Sequence, residues 1–368
     1  MKRREFVSGI ALAASAAACS GDRGEDTSPA GATRETFEWN LATSWPPGLP
    51  GLGTGVQNLV DRIGRASGGR LKIRIFAGGE LVPALEVFDA VRAGTVQMGH
   101  DPSYYHRGKV AAAQYFTTAP FGLVAQEMDA WFYYGGGMEL WHELYAEHGM
   151  MVFPAGNTAH QMLGWFNREL NTADDLKGLK IRMPGLGGEV MQRAGATQVT
   201  LPASDIFTSL QTGAIDAAEW VGPYNDLTLG LHKAARYYYY PGFHEPGPAL
   251  ECIINKEAWD SLPQDLQEII RTCCQAINLD MQAEYNWGNA MALAQLRADP
   301  NVELRELPQE IFDVLRRHAY EAMEELSAHD EWAARIHKSM FDFLGKSNDN
   351  LMTGELAYLN LRMRSART

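Results

Sequence analysis

The chain has 368 residues, 46% hydrophobic and 21% charged, a balance suited to a globular body and, at this length, to more than one lobe. A formal net charge of −13 leaves no basic stripe able to neutralise a phosphate backbone, which argues against a nucleic-acid partner. On so acidic a chain, a site for an anionic ligand has to be local and specific.

The chain opens with Lys2, Arg3 and Arg4, followed by a small apolar run from Phe6 to Ala18 that is too short to span a membrane. Positions 1–18 read as an export signal. Arg3-Arg4-Glu5-Phe6 looks like a twin-arginine start, which sends folded proteins to the periplasm. Ala16-Ala17-Ala18-Cys19 resembles a lipobox, so lipidation of Cys19 and plain cleavage both stay open. Residues 19–34 are polar, with Gly, Asp, Thr and Pro, as in a flexible tether. Cys252, Cys273 and Cys274 do not form a disulfide framework and read as buried thiols.

Phe37, Trp39 and Leu41 alternate with polar residues as in a strand, ended by Ser44-Trp45-Pro46-Pro47. Val56, Leu59, Val60 and Ile63 recur at helical spacing up to Gly68-Gly69. Leu71, Ile73 and Ile75 predict a second strand, Leu85, Phe88 and Val91 a second helix, and Val96 and Met98 a third strand. Alternation of strand and helix predicts a mainly parallel sheet, with ligands beyond the carboxyl ends of its strands. After Pro154 the pattern restarts. Strands are expected over 161–166, 179–183, 199–201 and 215–220, with a helix capped by Ser204 between the last two. The run 249–255 reads as a strand returning to the first lobe, so two crossovers form a hinge. From Pro263 helical spacing continues without a break to Pro300, a helix of roughly 50 Å able to brace both lobes. The expected organisation is a first lobe over 35–155 plus about 249–307, with the long helix at 263–297, a second lobe over 156–248, and a helical C-terminal region over 308–368.

His142-Glu143 with His148 lacks the four-residue spacing of a zinc helix motif, and the chain has neither a nucleophile elbow nor a phosphate loop. Three constellations remain. Arg182 lies at a strand end before Pro184-Gly185, where it can hold a carboxylate bidentately or form a surface salt bridge. Glu219-Trp220 precedes Gly222-Pro223, and the acid can ligate a cation or be a buried, hydrogen-bonded residue. Glu245 sits in the rigid loop from Pro241 to Pro248, facing either a cleft or solvent.

At these residues the chain resembles the extracytoplasmic binding proteins of tripartite ATP-independent periplasmic (TRAP) transporters, the DctP-like family. The segments DLKGLKIRMPG, LQTGAIDAAEW and WDSLPQDLQEII carry the resemblance over nearly the whole chain after the signal. AGNTAHQM, EWVGPY and YYYYPGFHEPGP resemble the branch that binds 2-oxo monocarboxylates such as pyruvate, or the related lactate. The resemblance implies an α/β, two-lobed periplasmic binding protein of type II with a long bracing helix and a helical C-terminal extension. It implies that Arg182 holds the ligand carboxylate, with Asn157 and Tyr104 as further ligand contacts and Tyr105 as the alternative to Tyr104. It also implies a bridging Na+ or Ca2+ ion held by Gln161, Glu219, the Trp220 carbonyl and Glu245. The partners implied are a small organic acid, the TRAP membrane subunits, and a second copy of the chain docked through the apolar row Leu356, Leu359 and Met363. A metal-dependent periplasmic enzyme and a sensor that passes its ligand-bound form to a receptor are the competing readings.

Overall fold

The structure is a computed structural model and describes residues 35–365. The expected signal at 1–18, the lipidation site at Cys19 and the tether at 19–34 lie outside the described residues. No helix among the described residues is long and apolar enough to cross a membrane.

The strands in chain order are β1 (Phe37–Thr43), β2 (Leu71–Phe76), β3 (Met98–Asp101), β4 (Met150–Asn157), β5 (Gly164–Phe166), β6 (Lys180–Arg182), β7 (Thr197–Val199), β8 (Ala217–Ala218), β9 (Tyr237–Tyr240), β10 (Ala249–Asn255) and β11 (Glu303–Glu306). They form a five-stranded sheet, β2-β1-β3-β10-β4, and a six-stranded sheet, β11-β9-β5-β8-β6-β7. Helices Leu52–Ala66 and Val87–Arg92 connect β1 to β2 and β2 to β3, and β1 pairs parallel with both neighbours, as the alternating pattern predicts.

Three expectations are corrected. The sheets are mixed, because β10 enters from the second lobe and runs antiparallel to β3 and β4, as β5 does to β8 and β9. The chain crosses between sheets three times, not twice, since β11 pairs with β9 and so puts 303–306 in the second sheet, inside the span assigned to the first lobe. Ser204 is not the cap: helix Ala203–Gln211 follows Pro202, and the Ser204 hydroxyl donates to Asp205. Strand β4 escaped prediction because Pro154 falls inside it. It is an edge strand, where a residue without an N–H costs no ladder bond on the open side.

The long helix spans Gln264–Ala298, 35 residues. Leu266, Ile270 and Ile277 are buried, each contributing about 1.5–3 kcal/mol. Further along, the helix bridges the lobes. Asn278 accepts the Gly156 N–H at 3.2 Å, and the Tyr285 hydroxyl donates to Asn225 at 2.8 Å while its ring seals Gly51. Gly288 admits the Tyr224 ring, since a Cβ there would stand 2.6 Å from it. The C-terminal region is helical as expected: Gln309–His329, Glu331–Thr353 and Glu355–Ser365. Ile311, Leu315, Ala319 and Met323 tie the first of these into the core. Cys252, Cys273 and Cys274 are buried free thiols.

Candidate functional site

Strand ends from both sheets meet at one place. β1 and β3 end there, β4 ends there at Asn157, β6 ends at Arg182, and β8 is followed by Glu219. Two connecting segments run side by side between the sheets. The Gln161 N–H donates to the Glu245 carbonyl at 3.1 Å, that of Gly242 to the Gln161 carbonyl at 3.1 Å, and that of Thr158 to the Pro248 carbonyl at 3.2 Å. These bonds hold Gln161 and Glu245 side by side, although 84 positions separate them in sequence.

Arg182 is 1% exposed, so the surface salt bridge is ruled out. One nitrogen, Nη1, donates to both Glu219 Oε2 and the Glu219 carbonyl, each at 2.8 Å. Nε donates to the Leu201 carbonyl, Nη2 reaches the Tyr105 hydroxyl at 3.3 Å, and the guanidinium lies 5.0 Å over the Trp220 ring. Burial opposes the charge of Arg182, but Tyr105, Glu219, Tyr104 and Glu245 outweigh it and raise its pKa.

Glu219 keeps its other oxygen, Oε1, without a hydrogen-bond partner, as do Gln161 at Oε1 and Glu245 at Oε2. All three side chains are 2% exposed or less. Burial first, and then the Glu219 charge, push the Glu245 carboxyl well above its ordinary range, against the pull of Arg182 and a hydrogen bond from Tyr104. Gln161 is oriented by its Nε2, which donates to Thr158 at 2.9 Å, leaving the carbonyl oxygen turned to the site. Leaving buried acceptors unmet costs about 1–3 kcal/mol each. Oxygen donors gathered in this way suit a hard cation such as sodium or calcium. His244 adds a nitrogen at the edge of the set. Its Nε2 lies 3.7 Å from Glu219 Oε1, and neither ring nitrogen has a partner.

Between these groups lies a narrow cavity of about 10 Å³, lined by Trp45, Tyr104, Tyr105, Gln161, Trp220 and Glu245 among others. A larger surface hollow of about 690 Å³ beside Asn167, Lys233 and Asp299 gathers no such buried groups. Tyr104 and Tyr105 both face the cavity, Tyr104 towards Glu245 and Tyr105 towards Arg182, so neither replaces the other. Tyr105 is lifted to about 12 by burial, so it stays a hydrogen-bond donor. Asn157 is placed differently. Its Nδ2 donates to the Gly247 carbonyl at 3.1 Å and its Oδ1 accepts from Ala159 at 2.8 Å, so in this geometry it ties the two connecting segments together.

Trp45 was read from sequence only as part of a strand end, and Thr158 was not given a role. Trp45 donates through Nε1 to His100 Nδ1 at 2.9 Å, which leaves His100 Nε2 to donate to the Ala155 carbonyl. Burial lowers His100 to about 4, so it stays neutral and holds the indole in place. Position was the available signal for both residues, since Thr158 directly follows β4 and Trp45 lies two residues beyond β1, strands whose carboxyl ends reach the site.

The family of bacterial extracellular solute-binding proteins, family 7, matches residues 41–330. A monocarboxylate 2-oxoacid-binding periplasmic protein of Nostoc sp. is 42% identical over 365 residues, covering 99% of this chain and all of that protein. Two crystal structures of TRAP periplasmic solute-binding proteins are each 42% identical, with a TM-score of 0.86 over 89% of this chain and 99% of theirs. One, from Colwellia psychrerythraea, has bound calcium and pyruvate, and the other, from Pseudoalteromonas atlantica, has bound sodium and pyruvate. With its two sheets, its bracing helix and a buried arginine facing unmet oxygens where the lobes meet, the chain belongs to the bacterial extracellular solute-binding proteins of family 7.

Proposed function

We propose that this chain is the periplasmic solute-binding subunit of a TRAP transporter. It captures a small 2-oxo monocarboxylate such as pyruvate together with a sodium or calcium ion, and delivers it unchanged to membrane subunits. The observation that carries this reading is the set of three unmet buried oxygens, from Gln161, Glu219 and Glu245, beside the buried Arg182. Arg182 supplies the positive charge for the ligand carboxylate, and Tyr105 shares its fork. Gln161, Glu219, the Trp220 carbonyl and Glu245 would hold the ion, and Tyr104 would steady Glu245. The bound ion supplies the charge that lets a third carboxylate enter beside two acids. The ligand's carboxylate and 2-oxygen can chelate it in a five-membered ring, which a 2-hydroxy acid such as lactate can also form. Asn157 belongs to this site as the tie that sets the spacing of Gln161 and Glu245. Closure of the two lobes around the ligand shifts an open–closed population, and the closed form is the one delivered.

Calorimetry with pyruvate, longer 2-oxo acids and lactate tests this reading. Stoichiometric binding without product formation is expected, weakened by exhaustive removal of sodium and divalent ions and by Glu219→Gln. Silence from all these acids, or affinity indifferent to both cation removal and Glu219→Gln, rejects it.

Export is proposed by the twin-arginine route, with Cys19 as the residue that a lipid would modify. Dimerisation is proposed through helix Glu355–Ser365, where Leu356 and Met363 are exposed and Leu359 half-buried.

A further inference from the structure

A second buried polar cluster lies in the five-stranded sheet, on the far side of the tyrosines. Asp101 of β3 and Glu251 of β10 are direct cross-strand partners, 1% and 0% exposed. Like charges placed opposite one another on a sheet are unfavourable, more so away from water. The turn Ser103–His106 covers them, with Tyr145 of helix Gly137–Ala146.

Following the hydrogens shows what is missing. Glu251 Oε2 accepts from the Ser103 hydroxyl at 2.5 Å and from the Tyr145 hydroxyl at 2.6 Å. Tyr145 has then used its one proton, so His106 Nε2, 2.8 Å away, must be the donor to it. His106 is therefore neutral at Nδ1, in line with its lowering to about 3 by burial, Lys109 and His148. Glu251 Oε1 and both Asp101 oxygens find no donor. The network closes when one carboxyl of the pair carries a proton and gives it to the other. The titratable groups facing the pair are His106 and Tyr105 on the turn and Tyr145 on its helix, with Lys109 and His148 beyond His106. None of them is a cation in contact with the pair.

We propose that Asp101 and Glu251 hold one shared proton beneath the tyrosine wall of the ligand site, and that its release at alkaline pH loosens that wall. The link is the turn itself. Ser103 donates to Glu251 directly and His106 reaches it through Tyr145, while Tyr104 and Tyr105, between them in sequence, face the cavity. A second negative charge under the turn repels the first and disturbs the seat from which both tyrosines project. Burial and the Glu251 charge raise Asp101, and burial raises Glu251 to about 7, which agrees with retention of the proton near neutrality.

The test compares wild-type protein with Asp101→Asn and Glu251→Gln, each of which supplies an N–H where the shared proton stood. In wild type the shared proton should add a component to the infrared carbonyl band of protonated carboxyls at neutral pH, and the difference spectrum between wild type and each variant should show that component lost. The folding equilibrium of wild type should fall about tenfold per pH unit for each proton held only by the folded state, and Asp101→Asn should lose that part of the slope. These two measurements involve no ligand, so they stand apart from the 2-oxo acid reading. The third rests on it: pyruvate affinity should weaken more at alkaline pH in wild type than in Asp101→Asn. A band or slope unchanged in the variants overturns the shared proton, as does an equivalent of divalent cation bound by wild type and lost in Asp101→Asn. Equal alkaline weakening in wild type and variant overturns the link to the tyrosines.

Discussion

Glu219 and Glu245 share their burial with Arg182, whereas Asp101 and Glu251 share theirs with two hydroxyls and a neutral histidine. Both pairs place like charges a few Å apart, a repulsion of about 4 kcal/mol at an effective dielectric of 20. At the strand ends the repulsion is met by a guanidinium and leaves oxygens directed at a cavity, which is a site for something from outside. Inside the first sheet no such charge is at hand, and the repulsion is met by keeping a proton. Buried acids are thus read by their neighbours. An arginine with unmet acceptors marks a binding site, and hydroxyl donors with a direct strand partner mark a fixed internal element that depends on pH.

The largest test of this contrast is Arg182→Ala. It removes the one guanidinium that, among the described residues, bonds to the binding pair, and should abolish ligand binding, since truncating one member of a buried charge pair costs about 2–5 kcal/mol. Calorimetry measures this. Asp101→Asn should by contrast keep binding near neutral pH, and equal losses in the two variants would erase the distinction.

A buried acid outside both pairs sharpens it. Asp226 accepts from Tyr238 at 2.8 Å and Trp165 at 3.0 Å, yet burial lifts it to about 7. The folded chain thus keeps a proton that the unfolded chain has released. The stability it contributes is complete below the ordinary carboxylate range and is lost as pH rises through about 7. Asp226→Asn should flatten that part of the pH profile. Asp226→Ala should cost about 1–3 kcal/mol for each donor it leaves unmet, the Tyr238 hydroxyl, the Trp165 indole N–H and the Val221 backbone N–H. Urea denaturation across this pH range reads both effects.

The smallest expected effect lies far from either pair. Leu356→Glu with Met363→Glu should change monomer stability by less than about 0.5 kcal/mol, as surface substitutions do. It should nevertheless shift the protein from dimer to monomer in light scattering. A wild-type protein that is already monomeric at micromolar concentration removes the proposed dimer.

Alternation and helical spacing were enough to show the strand–helix–strand start, the returning strand at 249–255 and the long helix after Pro263, because each depends on which side of a local element is apolar. They also placed Arg182 and Glu219 at strand ends, where α/β sheets bind ligands. They did not show that the two residues bond to each other, because that contact joins neighbouring strands 37 positions apart. Nor could local pattern show that β11 belongs to the second sheet, that Pro154 sits in an edge strand, or that Asn157 ties two connections together, since each follows from which strands become neighbours. Sequence by itself determined the elements, the acidic charge and the residue types of the site. Only the tertiary structure decided which acids lost water and which partners they gained, because burial and hydrogen bonding depend on groups brought together from distant parts of the chain.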